Sequence, residues 1–402
     1  MRRRSLLAVT VLSSRLLVYS FIIGLIPAVS TAAAFGHRFE FASNTGSTNN
    51  LLNDSGSVFD VYTTSALRLS GYPWSSLEIS VGGEHSYYRE NIGLSSLSGR
   101  LSATAIPLPR SSRFSLYMSG LLSGIRYHSD FSGFDNNSGE VQVSAGYNVI
   151  PALSFRTGVV YASTSYISLA TDDKRDFQVF CGANIIPFGS NSIDIEAGFD
   201  YAGYFYIQDD PDIPDILPPD SFPVAESKLR VLYISPRYSR PIGARTGLSV
   251  SFTRYKFQNY DKQMIYGFST QYLSPWASVW EGQSVSLNVK TFLIPKMIVT
   301  AGAGYWDKTY MRTAEKSYKF FLWAKRGRAR QDWETRCFLS LQRPFMTHGG
   351  LFFEPRLSVD YTDNKSNEYT EVILNNNVVN PSNKPLYDYS DLSIMFSLTF
   401  RM

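Results

Sequence analysis

Residue types that hold metals, haem or disulfides are scarce in this sequence, which has two cysteines and four histidines among its 402 residues. No C-x-x-C-H haem attachment motif occurs, and so few ligands do not reach the clusters that hold structural zinc. Cys181 and Cys337 are predicted to lie on the outer faces of distant strands, so a disulfide is not expected. We therefore expect no cofactor and no metal.

Long apolar runs are also missing. After Ala34 no uncharged apolar run approaches the roughly 20 residues of a membrane-spanning helix, and the mean hydropathy is −0.13. A basic excess is missing too, because positions 1–34 hold four of the 38 Lys and Arg and none of the 34 Asp and Glu, which leaves 34 of each. These absences exclude a helical membrane protein and give no support to a nucleic-acid partner.

No motif for a catalytic nucleophile is present. The stretch His128-Ser129-Asp130 has suggestive residue types. However, successive side chains of a strand point to opposite faces, while a triad needs its base between nucleophile and carboxylate. His85 and Ser86 fail on the same ground, so we expect no enzyme and no catalytic or cofactor-binding residues.

The first 34 residues have the order of a secretory signal peptide. Four arginines, the last of them Arg15, precede an uncharged run over Leu16–Ile26. Pro27 ends this run, and the small residues Ala32-Ala33-Ala34 follow. A single anchoring helix over Leu16–Ala34 is the alternative, because its length falls just inside the spanning range of roughly 17–25 residues. We expect a signal peptide over 1–34 and one domain over 35–402.

The rest of the chain alternates between apolar and polar residues. In Ile193–Tyr201 one face is apolar and the other carries three carboxylates. Many such segments run ten or more residues, as tilted membrane-spanning strands require, whereas soluble strands are usually about 5–6. The same period of two recurs in Leu77–Gly83, Val141–Val149, Leu153–Tyr161, Ser286–Leu293, Phe353–Tyr361 and Leu392–Phe400.

Short proline-bearing connections alternate with longer polar ones, which predicts a repeated hairpin. Eight such turns predict an all-β, transmembrane, antiparallel up-and-down barrel of about 18 strands. Sixteen is the alternative, because Pro275 and Pro295 are too close for two spanning strands between them. The eight prolines are Pro73, Pro107, Pro151, Pro187, Pro241, Pro275, Pro295 and Pro344.

Aromatic residues gather near the predicted strand ends, where they would form two interfacial girdles. The alternative is a set of core aromatics in a soluble sandwich. Beside the short turns are Tyr72, Trp74, Phe188, Trp276 and Phe345, and toward the long loops are Tyr87, Tyr88, Tyr204, Tyr206, Tyr260, Trp306, Tyr310 and Tyr361.

The last strand carries Leu392, Ile394, Phe396, Leu398 and Phe400 in alternation after Tyr387-Asp388-Tyr389, and it resembles the C-terminal targeting signal of bacterial outer-membrane barrels. Those signals usually end on the aromatic residue, whereas Arg401 and Met402 follow here. The whole chain is similar in design to the porins, whose barrels have 16 or 18 strands, without a motif specific to one porin family. The resemblance implies a Gram-negative outer-membrane protein assembled by the barrel-assembly machinery.

If the apolar positions face lipid, the charged positions between them face the lumen, because a cation at the bilayer midplane costs about 2–4 kcal/mol. Some of them would set ion selectivity across a constriction; the simpler interpretation is a solvated, ion-paired wall. The candidates are Glu78, Glu84, Arg100, Arg156, Asp194, Glu196, Asp200, Lys290, Glu334, Arg336, Glu354, Arg356 and Asp360.

Two predicted outer connections stand out by composition. The stretch Arg312–Arg330 is basic and could contact lipopolysaccharide phosphates. The stretch Gln208–Ala225 is rich in Pro and Asp and is the candidate constriction loop, with a solvated surface loop as the alternative. Its carboxylates are Asp209, Asp210, Asp212, Asp215 and Asp220.

Two functions remain open at this point. The first is a channel for passive diffusion of ions or small hydrophilic solutes. The second is a structural or interaction barrel, for example a porin-like sheath around a multihaem cytochrome in an electron conduit, or a surface scaffold or adhesin. The expected partners are outer-membrane lipid and lipopolysaccharide, and a lumen-filling protein or further copies of the chain are alternatives.

Overall fold

The computed structural model describes most of the chain after residue 35. The predicted signal peptide, the five aspartates of the candidate constriction loop and the basic Lys325-Arg326-Gly327-Arg328 lie outside the described residues. The described residues are 36–50, 59–109, 112–167, 173–187, 189–207, 224–259, 280–294, 296–310, 323–324, 331–347, 351–367, 370–374, 377–379 and 388–402.

Sixteen long strands form one closed sheet. Most have 12 to 16 residues, the length that a tilted strand needs to cross a bilayer. They are β1 (Gly36–Thr48), β2 (Asp60–Trp74), β3 (Leu77–Tyr88), β4 (Ser96–Ala105), β5 (Phe114–Tyr127), β6 (Asn136–Ile150), β7 (Leu153–Tyr166), β8 (Lys174–Ile185), β9 (Ser192–Ile207), β10 (Val224–Ile242), β11 (Thr246–Asn259), β12 (Trp280–Phe292), β13 (Ile298–Tyr310), β14 (Gln331–Gln342), β15 (Phe352–Ser366) and β16 (Tyr389–Arg401).

Every strand pairs antiparallel with the next along the chain, and β16 pairs with β1 to close the barrel. At this seam Phe41 lies opposite Phe400 and Glu40 opposite Arg401. Closure satisfies the backbone groups of every strand inside the sheet, which is the condition for crossing hydrocarbon with β-structure. The predicted all-β antiparallel barrel is therefore confirmed, with sixteen strands, the stated alternative.

The strand count of 18 is wrong because one proline was assigned to the wrong rim. Seven short connections, together with both chain ends, lie at one rim, which we call the turn rim. Eight connections lie at the opposite rim, the loop rim. Pro275 falls in the sequence between β11 and β12, which pair directly with each other, so the described sheet has two strands between Pro241 and Pro295 where a count of 18 requires four.

Short elements decorate the two rims. Phe345–Met346 pairs with β15 at the turn rim, and Trp323–Ala324, Thr370–Leu374 and Asn377–Val379 make small pairings of their own. Two 3-10 helices lie at the loop rim, where Leu94 packs against Tyr88, Tyr127, Phe131 and Phe134. No helix within the described residues is long and apolar enough to span a membrane.

The barrel is apolar outside and polar inside. Outward side chains such as Val81 and Leu97 are 53% and 60% exposed, whereas inward Asp332 and Asn364 are 0% exposed. Both cysteines are free, exposed and on the outward face. This distribution inverts that of a soluble protein and fits a molecule whose outer solvent is lipid.

The aromatic girdle at the loop rim is less complete than the sequence pattern predicts. Tyr88, Trp306 and Tyr310 lie on the inward face, where their cross-strand partners are Tyr62, Ser284 and Trp280. At the turn rim, by contrast, an outward aromatic row crosses the seam, with ring centroids of Phe353 and Phe400 separated by 5.0 Å. Trp276, assigned to the turn rim, falls in the loop-rim connection that contains Pro275.

Candidate functional site: the inner wall

The strand register fixes the face of each candidate lumen residue, because directly paired residues point to the same side of a sheet. Followed from strand to strand and across the seam, it places all thirteen on the inward face. They do not form one ring. They are distributed over β3, β4, β7, β9, β12, β14 and β15.

Four inward residues of β7, β9 and β10 form a wet cluster. The Arg156 guanidinium donates to Asp194 Oδ1 and to Glu196 Oε2, at 2.9 Å each. The Tyr233 hydroxyl donates to Glu196 Oε1 at 2.9 Å, which fills the other side of that carboxylate. The Arg156 side chain is 45% exposed, so water reaches this cluster.

Five inward residues of β12, β13 and β14 form a dry cluster near the loop rim. Lys308 Nζ lies 2.8 Å from Glu334 Oε2, and the Arg336 guanidinium also contacts that carboxylate. Glu334 is 2% exposed. Trp280 covers Lys308 and Trp306 covers Arg336, with cation-to-centroid distances of 5.8 and 5.1 Å. The Lys308–Glu334 pair is buried, with side chains 9% and 3% exposed, whereas the Arg336 side chain is 53% exposed, so the structural part of this cluster is the buried pair.

The remaining candidates are brought together less closely. Arg68 and Glu78 are 3.1 Å apart, and the Arg356 guanidinium donates to the Ser340 hydroxyl. Asp200 forms no ion pair among the described residues, although Lys174 and Asp176 pair with each other on neighbouring β8. Within the same described part of the wall, no ion pair forms at Glu84, Arg100, Lys290, Glu354 or Asp360.

Sequence reasoning missed several inward charges. Lys308 lies between Asp307 and Thr309, so polar residues occupy both faces and the alternation gives no clear signal there, whereas Arg68 lies between Leu67 and Leu69, an alternation that does signal an inward position. Asp60 begins β2, and its carboxylate accepts the backbone N–H groups of Glu90 and Asn91, which ties a loop-rim connection to the wall. Other inward charges missed are Arg38, Glu40, Glu140, Lys174, Asp176, Arg237, Asp332, Asp391 and Arg401.

Inward glycines receive large neighbouring side chains. A β-carbon on Gly198 would overlap the Tyr233 ring, and one on Gly158 would overlap the Phe180 ring. The ring therefore lies against the backbone of the wall and does not extend toward the barrel axis. The same arrangement holds for Gly46 with Tyr62, Gly82 with Arg100, Gly182 with Arg156, Gly302 with Phe338 and Gly304 with Trp306.

No family model matches the chain, and no curated protein matches its sequence. The outer membrane protein opdK from Pseudomonas aeruginosa aligns with a TM-score of 0.44 at 8% identity, over 91% of this chain and 99% of that one. OccAB1 from Acinetobacter baumannii gives 0.44 at 9%, over 92% and 97%. CdiB from the same species gives 0.49 at 9%, over 90% of this chain and 60% of its own.

The chain has porin-like barrel architecture. That statement rests on its own geometry: sixteen antiparallel strands, closure of β1 on β16, an apolar outer face and a charged inner wall. What such a wall can do is solvate a hydrophilic solute along its whole length, because hydroxyl, carboxylate and guanidinium groups face inward on successive strands.

Proposed function

We propose that this protein is an outer-membrane channel for passive diffusion of ions or small hydrophilic solutes. The observation that carries the proposal is the packing of large inward side chains over inward glycines. Tyr233 over Gly198 and Phe338 over Gly302 lie against the wall, so that these rings do not extend toward the barrel axis. A barrel of sixteen strands is wide enough for an aqueous lumen.

The wet cluster is our candidate for the selectivity element. It exposes Arg156 to solvent but surrounds it with the carboxylates of Asp194 and Glu196, and Asp200 follows on the same face of β9. Carboxylates in a narrow polar passage favour cations. We therefore expect a weak cation preference. The aspartates of 208–225 lie outside the described residues and stay a predicted constriction.

Single-channel recording tests the proposal. The protein, purified from outer membranes, is inserted into a planar lipid bilayer with a salt gradient, so that conductance and reversal potential come from one experiment. Stable ohmic steps with a reversal potential displaced toward cations are the expected result. A folded barrel that never conducts would contradict a channel, and a haem-staining protein that copurifies with it would favour the sheath instead.

Cysteine labelling tests the orientation. With Cys181 and Cys337 replaced by Ser, single cysteines at Asp215 and Gly327 should react with an impermeant maleimide on intact cells. Cysteines next to Pro151 and Pro187, at the turn rim, should react only after the outer membrane is opened. The reverse pattern would place the loop rim in the periplasm.

A further inference from the structure

Strand β11 changes polarity part-way along its outward face. From the turn rim this face carries Leu248, Val250 and Phe252, and then Arg254 and Lys256, both exposed. The inward positions that follow each of these cations are aromatic, Tyr255 and Phe257. Local alternation alone would put these two rings toward lipid and the two cations inside, but the continuous register from Leu248 onward places the cations outside.

On the β10 side both cations lie beside apolar side chains, whereas on the β12 side Arg254 is paired with Gln283 and the nearby Glu281 carboxylate accepts the backbone N–H of Phe257. Arg254 is directly opposite Ile234 on β10, and Lys256 is directly opposite Leu232. Neither cation has an ion pair or a hydrogen bond within the described part of the chain. A long cationic side chain at this position extends along the apolar surface to reach the polar boundary of the bilayer.

A groove on the outer surface leads to these cations. Cross-strand neighbours Thr157, Cys181 and Ala197 form a row of small outward side chains over β7, β8 and β9 that continues to Ile234 and then Arg254. The adjacent row, toward the loop rim, is larger, with Val179, Phe199 and Leu232 ending at Lys256. Because the side chains of the first row are smaller than those of the second, the outer surface has an apolar groove along the first row, which these residues line.

Another outward cation, Arg126, has hydrogen-bond acceptors within the protein. Arg126 on β5 also lies outward near the loop rim, but its guanidinium donates to the carbonyls of Ile125 and Asn136 and to the Asn137 side chain at 2.8 Å. Within the described part of the chain Arg254 and Lys256 donate no such hydrogen bonds, and both line the groove. An anion carried on an apolar chain would match both features.

We infer that the outer face of β7–β11 binds one phosphorylated, acylated glycolipid of the outer leaflet, the lipid A portion of lipopolysaccharide. One acyl chain lies in the groove over Cys181 and Ala197, and a phosphate accepts charge-assisted hydrogen bonds from Arg254 and Lys256. The choice of outer-leaflet lipid rests on the proposed orientation, with the loop rim outside the cell. The contact itself does not depend on channel activity.

Native mass spectrometry of the full protein, purified in mild detergent and titrated with lipid A, tests the inference. Arg254→Gln with Lys256→Gln should lower the bound fraction about tenfold, because two charge-assisted contacts are lost. Ala197→Phe fills the groove without changing charge and should also lower it several-fold. Arg126→Gln with Arg240→Gln removes the same charge elsewhere on the outer face and should leave binding unchanged.

The native cysteines give a second readout. Cys181 lies in the groove and Cys337 is exposed on β14, away from it. Lipid A in phosphatidylcholine vesicles should slow alkylation of Cys181 by a membrane-soluble maleimide about threefold or more relative to Cys337, as partial occupancy requires. Equal protection of both thiols, or equal lipid A retention by all variants, would overturn the inference.

The two proposals fail separately. Neither mass spectrometry nor thiol protection requires conductance, so a silent barrel can still bind lipid A. If phosphatidylglycerol protected Cys181 and lipid A did not, the site would belong to the inner leaflet. Both the choice of lipid A as the ligand and the assumed orientation would then be wrong.

Discussion

The dry cluster on β12–β14 and the wet cluster on β7–β10 are built from the same chemistry, a carboxylate held by cations on neighbouring strands. They differ in how far solvent reaches the shared carboxylate. The shared carboxylate of the dry cluster, Glu334, has a side chain 3% exposed, whereas that of the wet cluster, Glu196, is 27% exposed. An ion pair that water reaches contributes little to stability and stays available to solutes, while a buried one is costly to break.

The dry cluster and the wet cluster therefore have different roles in the same wall. Near the loop rim, the dry cluster joins β13 and β14 through the buried Lys308–Glu334 pair. Nearer the turn rim, the wet cluster presents charge to the lumen. Mutations in the first should therefore change stability without changing selectivity, and mutations in the second should do the opposite.

Breaking the dry cluster should have the largest effect. Glu334→Gln leaves Lys308 and Arg336 without their shared carboxylate, and removal of one partner of a buried pair costs about 3–5 kcal/mol. We expect a loss of that size in the free energy of unfolding, measured by urea titration in lipid vesicles, with an unchanged reversal potential. Lys308→Met in the same chain should restore most of the loss, because the uncompensated buried charge is gone. If Glu334→Gln unfolds at the wild-type urea concentration, this cluster is not dry.

The glycine under Tyr233 gives the next largest effect. Gly198→Ala forces the ring off the wall and releases its hydrogen bond to Glu196, at a cost of about 1–3 kcal/mol as for other overpacked sites. We expect a lower single-channel conductance, because the displaced ring enters the lumen. Gly99→Ala is the matched control, since that outward glycine has nothing within 4 Å of an added β-carbon. Equal conductance in the two variants would refute the packing argument for an open lumen.

Neutralising the wet cluster should change selectivity more than stability. In Asp194→Asn with Glu196→Gln, Arg156 keeps hydrogen-bond partners but loses both counter-charges. We expect the reversal potential in a salt gradient to move toward anions and the free energy of unfolding to change by no more than about 1 kcal/mol, as for other solvent-exposed pairs. A reversal potential equal to that of the wild type would leave these carboxylates as wall solvation only.

The ion pair at the seam should give the smallest effect. Arg401 and Glu40 lie 2.8 Å apart with side chains 34% and 25% exposed. Arg401→Gln should lower the free energy of unfolding by less than about 1 kcal/mol, since the backbone ladder between β1 and β16 is retained. The shift in the urea midpoint measures it, and a loss as large as that of Glu334→Gln would mean that closure depends on this pair.

Sequence alternation predicted correctly which face of the sheet a residue lies on where one face of the strand was uniformly apolar. Ile193–Tyr201 is such a segment, and its carboxylates lie inward. It failed where a strand leaves the hydrocarbon, because the lipid no longer penalises charge there. Arg254 and Lys256 are the example: the chemistry reverses at Thr253 while the backbone register continues.

Strand number and inter-strand contacts were harder to predict. Pro275 could not be told from a turn-rim proline, since proline is accepted in tight turns and in long loops alike. The bonds of Arg156 to β9 and of Lys308 to Glu334 depend on which strands are neighbours and on their stagger. The period of two in a single strand does not contain that information.

The closure of β1 on β16 has a consequence for assembly. The partners Glu40 and Arg401 are separated by 361 residues in the chain. The first strand synthesised therefore has no partner on one side until the last strand arrives, and its unpaired amide groups must be protected from other chains in the meantime. Contacts between such distant parts of a chain form slowly. A chain that stops before β16 would have two open sheet edges, so loss of residues 389–402 should favour aggregation over insertion.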